Sequence, residues 1–373
     1  VYNIHVMQVD FLTSVISVGI MIALAVPGFI LKRKNMLPDK AVAALVAVLI
    51  YVSQPFMTID SFLEKDYQPQ LLGGMGISFV LSLAFHVLVY FMAKAVFSLF
   101  PDKPRIKVTP DETVLSGGGE SLRNDEENKL NDENFAGSES SALSSNRDIA
   151  AEKRICVITS FMGNVGFMGI PVMKALFPQS PEMLIYTAVF ILGFNIASWT
   201  LGVYTITGDK KHISLRKALL NPPTAALVVA LPLFFFKSYI PSDVLTPLSS
   251  GIGYLSDMTL PLSMIILGIR LADIKFKVLF TDVKVYIVCL IKLVAAPLIC
   301  FGIMYLLKLV FPALDKSVIV TAYIVIAMPS ASLTLTFAEM FDGDRATAVK
   351  TTILTTLLSV ITIPLLMLLC NFI

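Results

Sequence analysis

The chain has 373 residues, of which 56% are hydrophobic and only 15% charged, and its formal charge is +2. Apolar runs of about 20 residues recur along it, long enough to cross a bilayer, which excludes an ordinary soluble domain and predicts an all-α polytopic membrane protein. All four cysteines (Cys156, Cys289, Cys300 and Cys370) fall inside apolar runs without metal-ligand spacing, so they are read as small buried hydrophobes.

Ten spans are predicted. The first runs from Phe11 to Leu31; no basic stretch precedes it, so it is expected to be retained and not cleaved as a leader. The second covers Ala41 to Leu63 with Gln54-Pro55 inside it, and the third Leu71 to Phe100. The segment 101–152 is polar, with Ser116-Gly117-Gly118-Gly119 and Asp125-Glu126-Glu127, and is too poor in apolar residues to form a core. It is expected to be a flexible insert.

The fourth apolar run, Ile155 to Phe177, is interrupted by Gly163-Asn164-Val165-Gly166-Phe167-Met168-Gly169-Ile170-Pro171. Pro171 lacks an N–H and crowds the carbonyl one turn before it, and glycine weakens a helix further. Irregular backbone survives at membrane depth only where protein or a water-filled cavity covers it. In secondary transporters such breaks build the substrate site; an ordinary kink is the plainer alternative.

A fifth span runs from Met183 to Ile206, a sixth from Pro223 to Phe236 and on to Ile240, and a seventh from Thr246 to Leu271 with Pro261 inside. The eighth covers Val285 to Val310, the ninth Val318 to Phe341, and the tenth Ala346 to Leu369. Lys32, Arg33, Lys34, Lys40, Lys210, Lys211, Arg216, Lys217, Arg270, Lys275, Lys277, Lys284, Arg345 and Lys350 collect on one side, which the positive-inside rule makes cytoplasmic, together with the insert. Both termini then lie outside a plasma membrane.

An internal repeat fits this layout. Lys34-Asn35-Met36-Leu37-Pro38 precedes the second span and Lys237-Ser238-Tyr239-Ile240-Pro241 the seventh; Leu99-Phe100-Pro101 ends the third and Val310-Phe311-Pro312 the eighth. The broken fourth span then corresponds to the ninth, which carries Ala327-Met328-Pro329-Ser330-Ala331-Ser332. The organisation predicted is a first inverted repeat over 9–206 containing the 101–152 insert, a cytoplasmic linker over 207–221, and a second repeat over 222–371. Paired interruptions in inverted halves point to a transporter's binding site.

The candidate binding residues follow from those breaks. Asn164 can donate and accept beside the freed backbone of Val165 and Gly166 next to Pro171, or it can simply cap the broken helix. Pro329, Ser330 and Ser332 are the opposing groups, although either serine could back-bond to its own helix. Gln54 and Asn195 are lone amides that could equally be interhelical glue. Lys292 sits about 12 Å inside the eighth span. It suits an anionic substrate or an internal carboxylate, or else it snorkels to the interface.

Asn164-Val165-Gly166-Phe167-Met168-Gly169-Ile170-Pro171-Val172-Met173-Lys174-Ala175, Leu220-Asn221-Pro222, Leu255-Ser256-Asp257 with Leu267-Gly268, Lys292 before Pro297, and Met328-Pro329 together resemble the auxin efflux carrier family. That family includes plant auxin carriers and bacterial carriers assigned to malate or malonate. The plant proteins place their long loop between the two halves, where this chain has only Gly208 to Leu219. The resemblance implies a scaffold of spans one, two, six and seven that forms a homodimer, and a transport unit of spans three to five and eight to ten. The unit would carry a small organic anion, in particular a carboxylate, by alternating access between the bundles. The alternative class is a sodium- or proton-coupled carrier of related broken-helix fold, or a channel or receptor. No enzyme motif, cofactor, metal or nucleic-acid partner is expected; the partners are the substrate, the bilayer and a second copy.

Overall fold

A computed structural model describes residues 11–38, 41–100, 149–272, 279–280 and 282–372. Among the described residues, eight helices are long and apolar enough to cross a membrane, and two of the expected spans are instead each divided in two. Apart from a short turn of helix at Leu215–Leu219, the helices in chain order are α1 (Val15–Arg33), α2 (Ala41–Leu63), α3 (Pro69–Ser98), α4 (149–161), α5 (Val165–Leu176), α6 (Glu182–Thr207), α7 (Pro222–Tyr239), α8 (Ser242–Ala272), α9 (Val283–Val310), α10 (Lys316–Ile326), α11 (Leu333–Met340) and α12 (Arg345–Phe372). The expected fourth span is α4 with α5, and the ninth is α10 with α11. Residues 101–148 of the expected insert, with Lys40, Lys275 and Lys277, lie outside the described residues. The insert's last four residues, 149–152, belong to α4 instead. Two contacts hold that start: Glu152 pairs with Lys284, and Lys153 donates to the Phe100 carbonyl.

The helices pack in two groups, which meet where α1 lies against α12. In one, α8 packs on both α1 and α2, and α7 packs on α2. In the other, α3 packs on α6, α10 lies against α3, α6 and α9, and α12 lies against α9 and α11. The second group holds most of the large buried side chains, among them Tyr186, Phe190, Tyr323 and Phe337. The first group approaches by backbone. A β-carbon on Gly268 of α8 would stand 1.8 Å from the Ala25 carbonyl oxygen of α1, and one on Gly28 would stand 2.1 Å from that of Ile265. Small residues at these two places let the backbones touch, as in many membrane helix pairs.

Prolines set the local irregularities. A five-residue π turn occupies Leu49–Ser53 in α2, Val165–Gly169 in α5 and Ile291–Ala295 in α9. Each ends two residues before a proline: Pro55, Pro171 and Pro297. Proline cannot donate, and its ring clashes with the carbonyl four residues back, so the preceding turn widens. A widened turn re-aims the side chains on it, and Gln54, Asn164 and Lys292 all stand on or directly beside one. A fourth π turn, Ser198–Gly202 in α6, carries Trp199 and has no following proline.

The Gly268 contact yields a stability prediction. The atom met is backbone, so no side-chain rotation can relieve Gly268→Ala, which is expected to cost at least about 1–3 kcal/mol. Gly302 in α9 has no atom within 4 Å of its would-be β-carbon. Gly302→Ala should therefore leave thermal unfolding unchanged or raise it. Comparable melting of both variants in detergent would contradict this packing.

Candidate functional site

The two interrupted spans cross at Gly163 and Ser330, which form an isolated antiparallel β-bridge. The Asn164 N–H donates to the Pro329 carbonyl at 2.7 Å, and the Ala331 N–H donates to the Met162 carbonyl at 2.9 Å. Two of the N–H groups and two of the carbonyls that the breaks release are thus satisfied across the crossing, as the surrounding apolar interior demands. Ser330 fastens the crossing further. Its N–H donates to Thr355 Oγ1 of α12 at 3.1 Å and its hydroxyl to the Thr159 carbonyl of α4 at 2.8 Å.

Beyond the bridge, α5 and α11 start again. The Asn164 carbonyl accepts from Met168 at 3.1 Å and Gly169 at 3.3 Å. The N–H groups of Val165, Gly166 and Phe167 precede the first hydrogen-bonded turn and have no backbone partner among the described residues. The Asn164 side chain makes no capping hydrogen bond, so the cap reading does not describe it. Its amide lines a cavity instead.

That cavity measures about 830 Å³, in the range of small-molecule sites. Asn164, Gly166, Gln54, Asn195 and Ser332 supply polar lining, and Tyr51, Phe167, Phe194 and Trp199 supply aromatic walls. Its far end is lined by Ser214, Arg216 and Lys217 of the stretch joining α6 to α7. Arg216 and Lys217 are exposed there, and the Lys217 ammonium lies 5.4 Å from the Trp199 ring centroid. Cations around a concave mouth concentrate anions.

The expected residues divide into two sets. Gln54, Asn164, Gly166, Asn195 and Ser332 line the cavity. Gln54 reaches across from α2 so closely that a β-carbon on Gly166 would lie 2.6 Å from its amide nitrogen. Asn195 Nδ2 is committed to Thr224 Oγ1 of α7 at 2.7 Å, which makes it a tie between the two helix groups. Val165, Pro171, Pro329 and Ser330 build the breaks but do not line the cavity. Lys292 is also off the wall. It is 1% exposed, and its ammonium donates to the Ile326 carbonyl at 3.2 Å, so it does not snorkel. Among the described residues it forms no ion pair, so the internal-carboxylate reading finds no partner there.

Residues that the sequence reading had assigned elsewhere also matter. Trp199 is the chain's one tryptophan, and Arg216 and Lys217 had served only to orient the loops. Lys174 and Asp257 enter the sequence analysis only as parts of the motifs that carry the resemblance. Lys174 lies 2.7 Å from Glu64, 3.5 Å from Asp60 and 3.6 Å from Asp257, at the end of α5 remote from Arg216. These pairs join α5 to α2 and α8.

Because Asn164 does not cap α5, Asn164→Ala should change the unfolding temperature of the ligand-free protein very little. Loss of a helix cap would cost about 0.5–2 kcal/mol. A drop of that size on calorimetry would restore the capping role.

Two archaeal proteins resemble this chain. An uncharacterized transporter of Methanocaldococcus jannaschii is 25% identical over 357 residues, 93% of this chain and 95% of that protein. Another, from Methanothermobacter thermautotrophicus, is 29% identical over 211 residues, 56% of this chain and 65% of its own length. Residues 143–367, more than half of the chain, match the family described as "Membrane transport protein". With its long apolar helices and crossed breaks, the chain is a multi-pass membrane protein and belongs to that membrane transport family, the auxin efflux carriers whose motifs it carries.

Proposed function

We propose that the protein is a secondary carrier that moves a small organic anion, in particular a carboxylate, by alternating access. One observation carries the reading: the uncapped Asn164 amide and the unpaired N–H groups beginning α5 stand at a cavity whose mouth bears Arg216 and Lys217. A helix start offers partial positive charge to an anion. Asn164 adds hydrogen bonds without a competing charge, and the aromatic walls suit a carboxylate whose remainder is apolar.

The two helix groups supply the moving parts in this proposal. The group α1, α2, α7 and α8 acts as a scaffold, and the group carrying the crossing as the transport unit. The apolar side chains of Val228, Val229 and Phe236 on α7 are exposed, which leaves surface for a scaffold-mediated homodimer in the bilayer. The chain crosses the plasma membrane ten times as two inverted repeats, 9–206 and 222–371, joined by the cytoplasmic linker 207–221. The insert is then cytoplasmic and both termini are outside. The basic residues beside the spans support that orientation.

In this orientation the cavity is open to the cytoplasm and closed to the outside. The closure includes Lys174 with Asp60, Glu64 and Asp257, and Lys65 with Glu182 at 3.1 Å. All four contacts pass between the two helix groups or the segment linking them. Partly exposed pairs of this kind are individually weak, so they can break in each cycle.

Two outcomes test the reading. Once a carboxylate is found by uptake into proteoliposomes, Asn164→Ala should weaken its binding by about 1–3 kcal/mol. Asn164→Asp should weaken it more, by placing a like charge against the ligand. Unchanged affinity in both variants would remove the carboxylate from this break.

For access, Lys174→Ala should speed labelling of a cysteine at Ser332 by an impermeant maleimide added outside, because the outer contacts are lost. Identical labelling rates with and without Lys174 would show that these ion pairs do not hold the outer side shut.

A further inference from the structure

The helix group that carries the crossing holds a buried lysine that does not line the cavity. Lys292 stands on the π turn Ile291–Ala295 of α9, which ends two residues before Pro297. Its ammonium is bound at the end of α10, where Ile326 is the last helical residue and its carbonyl accepts at 3.2 Å. A β-carbon on Gly163 would lie 2.9 Å from the same nitrogen and 3.7 Å from the Met328 carbonyl oxygen. The ammonium therefore sits at the crossing itself, between the end of α10 and the bare backbone of Gly163. Gly163 is the bridge partner of Ser330, so the space for the ammonium exists because that residue has no side chain.

An ammonium taken out of water is costly unless something compensates it. Among the described residues no carboxylate pairs with Lys292. The available compensation is the carbonyl end of α10, which carries partial negative charge. In broken-helix carriers, unwound carbonyls and half-helix C-termini are where a coupling sodium ion or proton is held. We infer that Lys292 is a built-in cation: its ammonium takes the place of a free coupling ion at the end of α10, and the crossing accepts no sodium while it is there. The inference rests on the carrier reading of the fold. It makes Lys292 a positioning residue, acting on the anion by holding the crossing together and by its charge one layer behind Asn164.

The test needs no substrate, so its failure is distinct from failure of the anion reading. Purified full-length protein is assayed for ²²Na⁺ binding. It is then melted in sodium chloride and in N-methyl-D-glucamine chloride at equal ionic strength. The parent should show no saturable sodium binding and the same unfolding temperature in both salts. Lys292→Ala should unfold roughly 5 °C lower, and propylammonium or sodium should recover part of that loss while leaving the parent unmoved. Lys292→Arg, which keeps the charge, should fall between parent and alanine variant. Saturable ²²Na⁺ binding to the parent would overturn the inference. So would a Lys292→Ala protein that melts like the parent, or one whose deficit no small cation relieves. Should the alanine variant fail to assemble, the parent's sodium binding still decides the question.

Discussion

The fold depends on satisfying backbone in the middle of an apolar bundle. Two interrupted helices leave N–H and C=O groups where no water competes for them, and each such group is expensive when unpaired. The residues flanking Gly163 and Ser330 solve part of this with two hydrogen bonds, Asn164 N–H to the Pro329 carbonyl and Ala331 N–H to the Met162 carbonyl, and Thr355 and Thr159 take the N–H and hydroxyl of Ser330. Once the crossing is fixed, the starts of α5 and α11 emerge on the cavity side with polar groups still available. Lys292 lies behind the same crossing. The bridge thus separates a cavity with N–H donors from an enclosed ammonium.

The surrounding helices follow from that arrangement. The crossing is embedded among α3, α6, α9 and α12, whose packing supplies much of the buried core. The other group is held by glycine-mediated contact between α1 and α8 and by the packing of α7 and α8 on α2. Gln54 meets Gly166, and Asn195 ties α6 to Thr224. The two groups also meet through apolar packing of α1 on α12, so a shift between them would have to slide that contact as well as exchange these polar ties. In the proposed carrier reading that division has a use, since a carrier must expose one site to two sides in turn.

Much of this was legible in the residues. Gly, Asn and Pro inside two apolar runs marked the breaks, and the same residues form the crossing. The spans followed from hydropathy, although two fell short as single helices because the breaks divide them. The division of labour among the site residues was not legible. A serine in a break can face a ligand or fasten backbone; Ser332 lines the cavity while Ser330 is spent on Thr159, and only the register of the bridge decides between them. The π turns were also hidden, since proline announces a disturbance but not the direction in which Gln54 or Lys292 is re-aimed. Lys174 meets Asp60 and Asp257 across long sequence separations, which no local pattern encodes.

The central claim is that the crossing holds the substrate's carboxylate on its cavity face. A cryo-EM map of the full chain in nanodiscs, saturated with a carboxylate identified by uptake, tests it most directly. The account predicts ligand density with one carboxylate oxygen within hydrogen-bonding distance of the Asn164 amide and the N–H groups that begin α5. Density that leaves Asn164 unoccupied, or that displaces Lys292 from the Ile326 carbonyl to reach the ammonium, would contradict it.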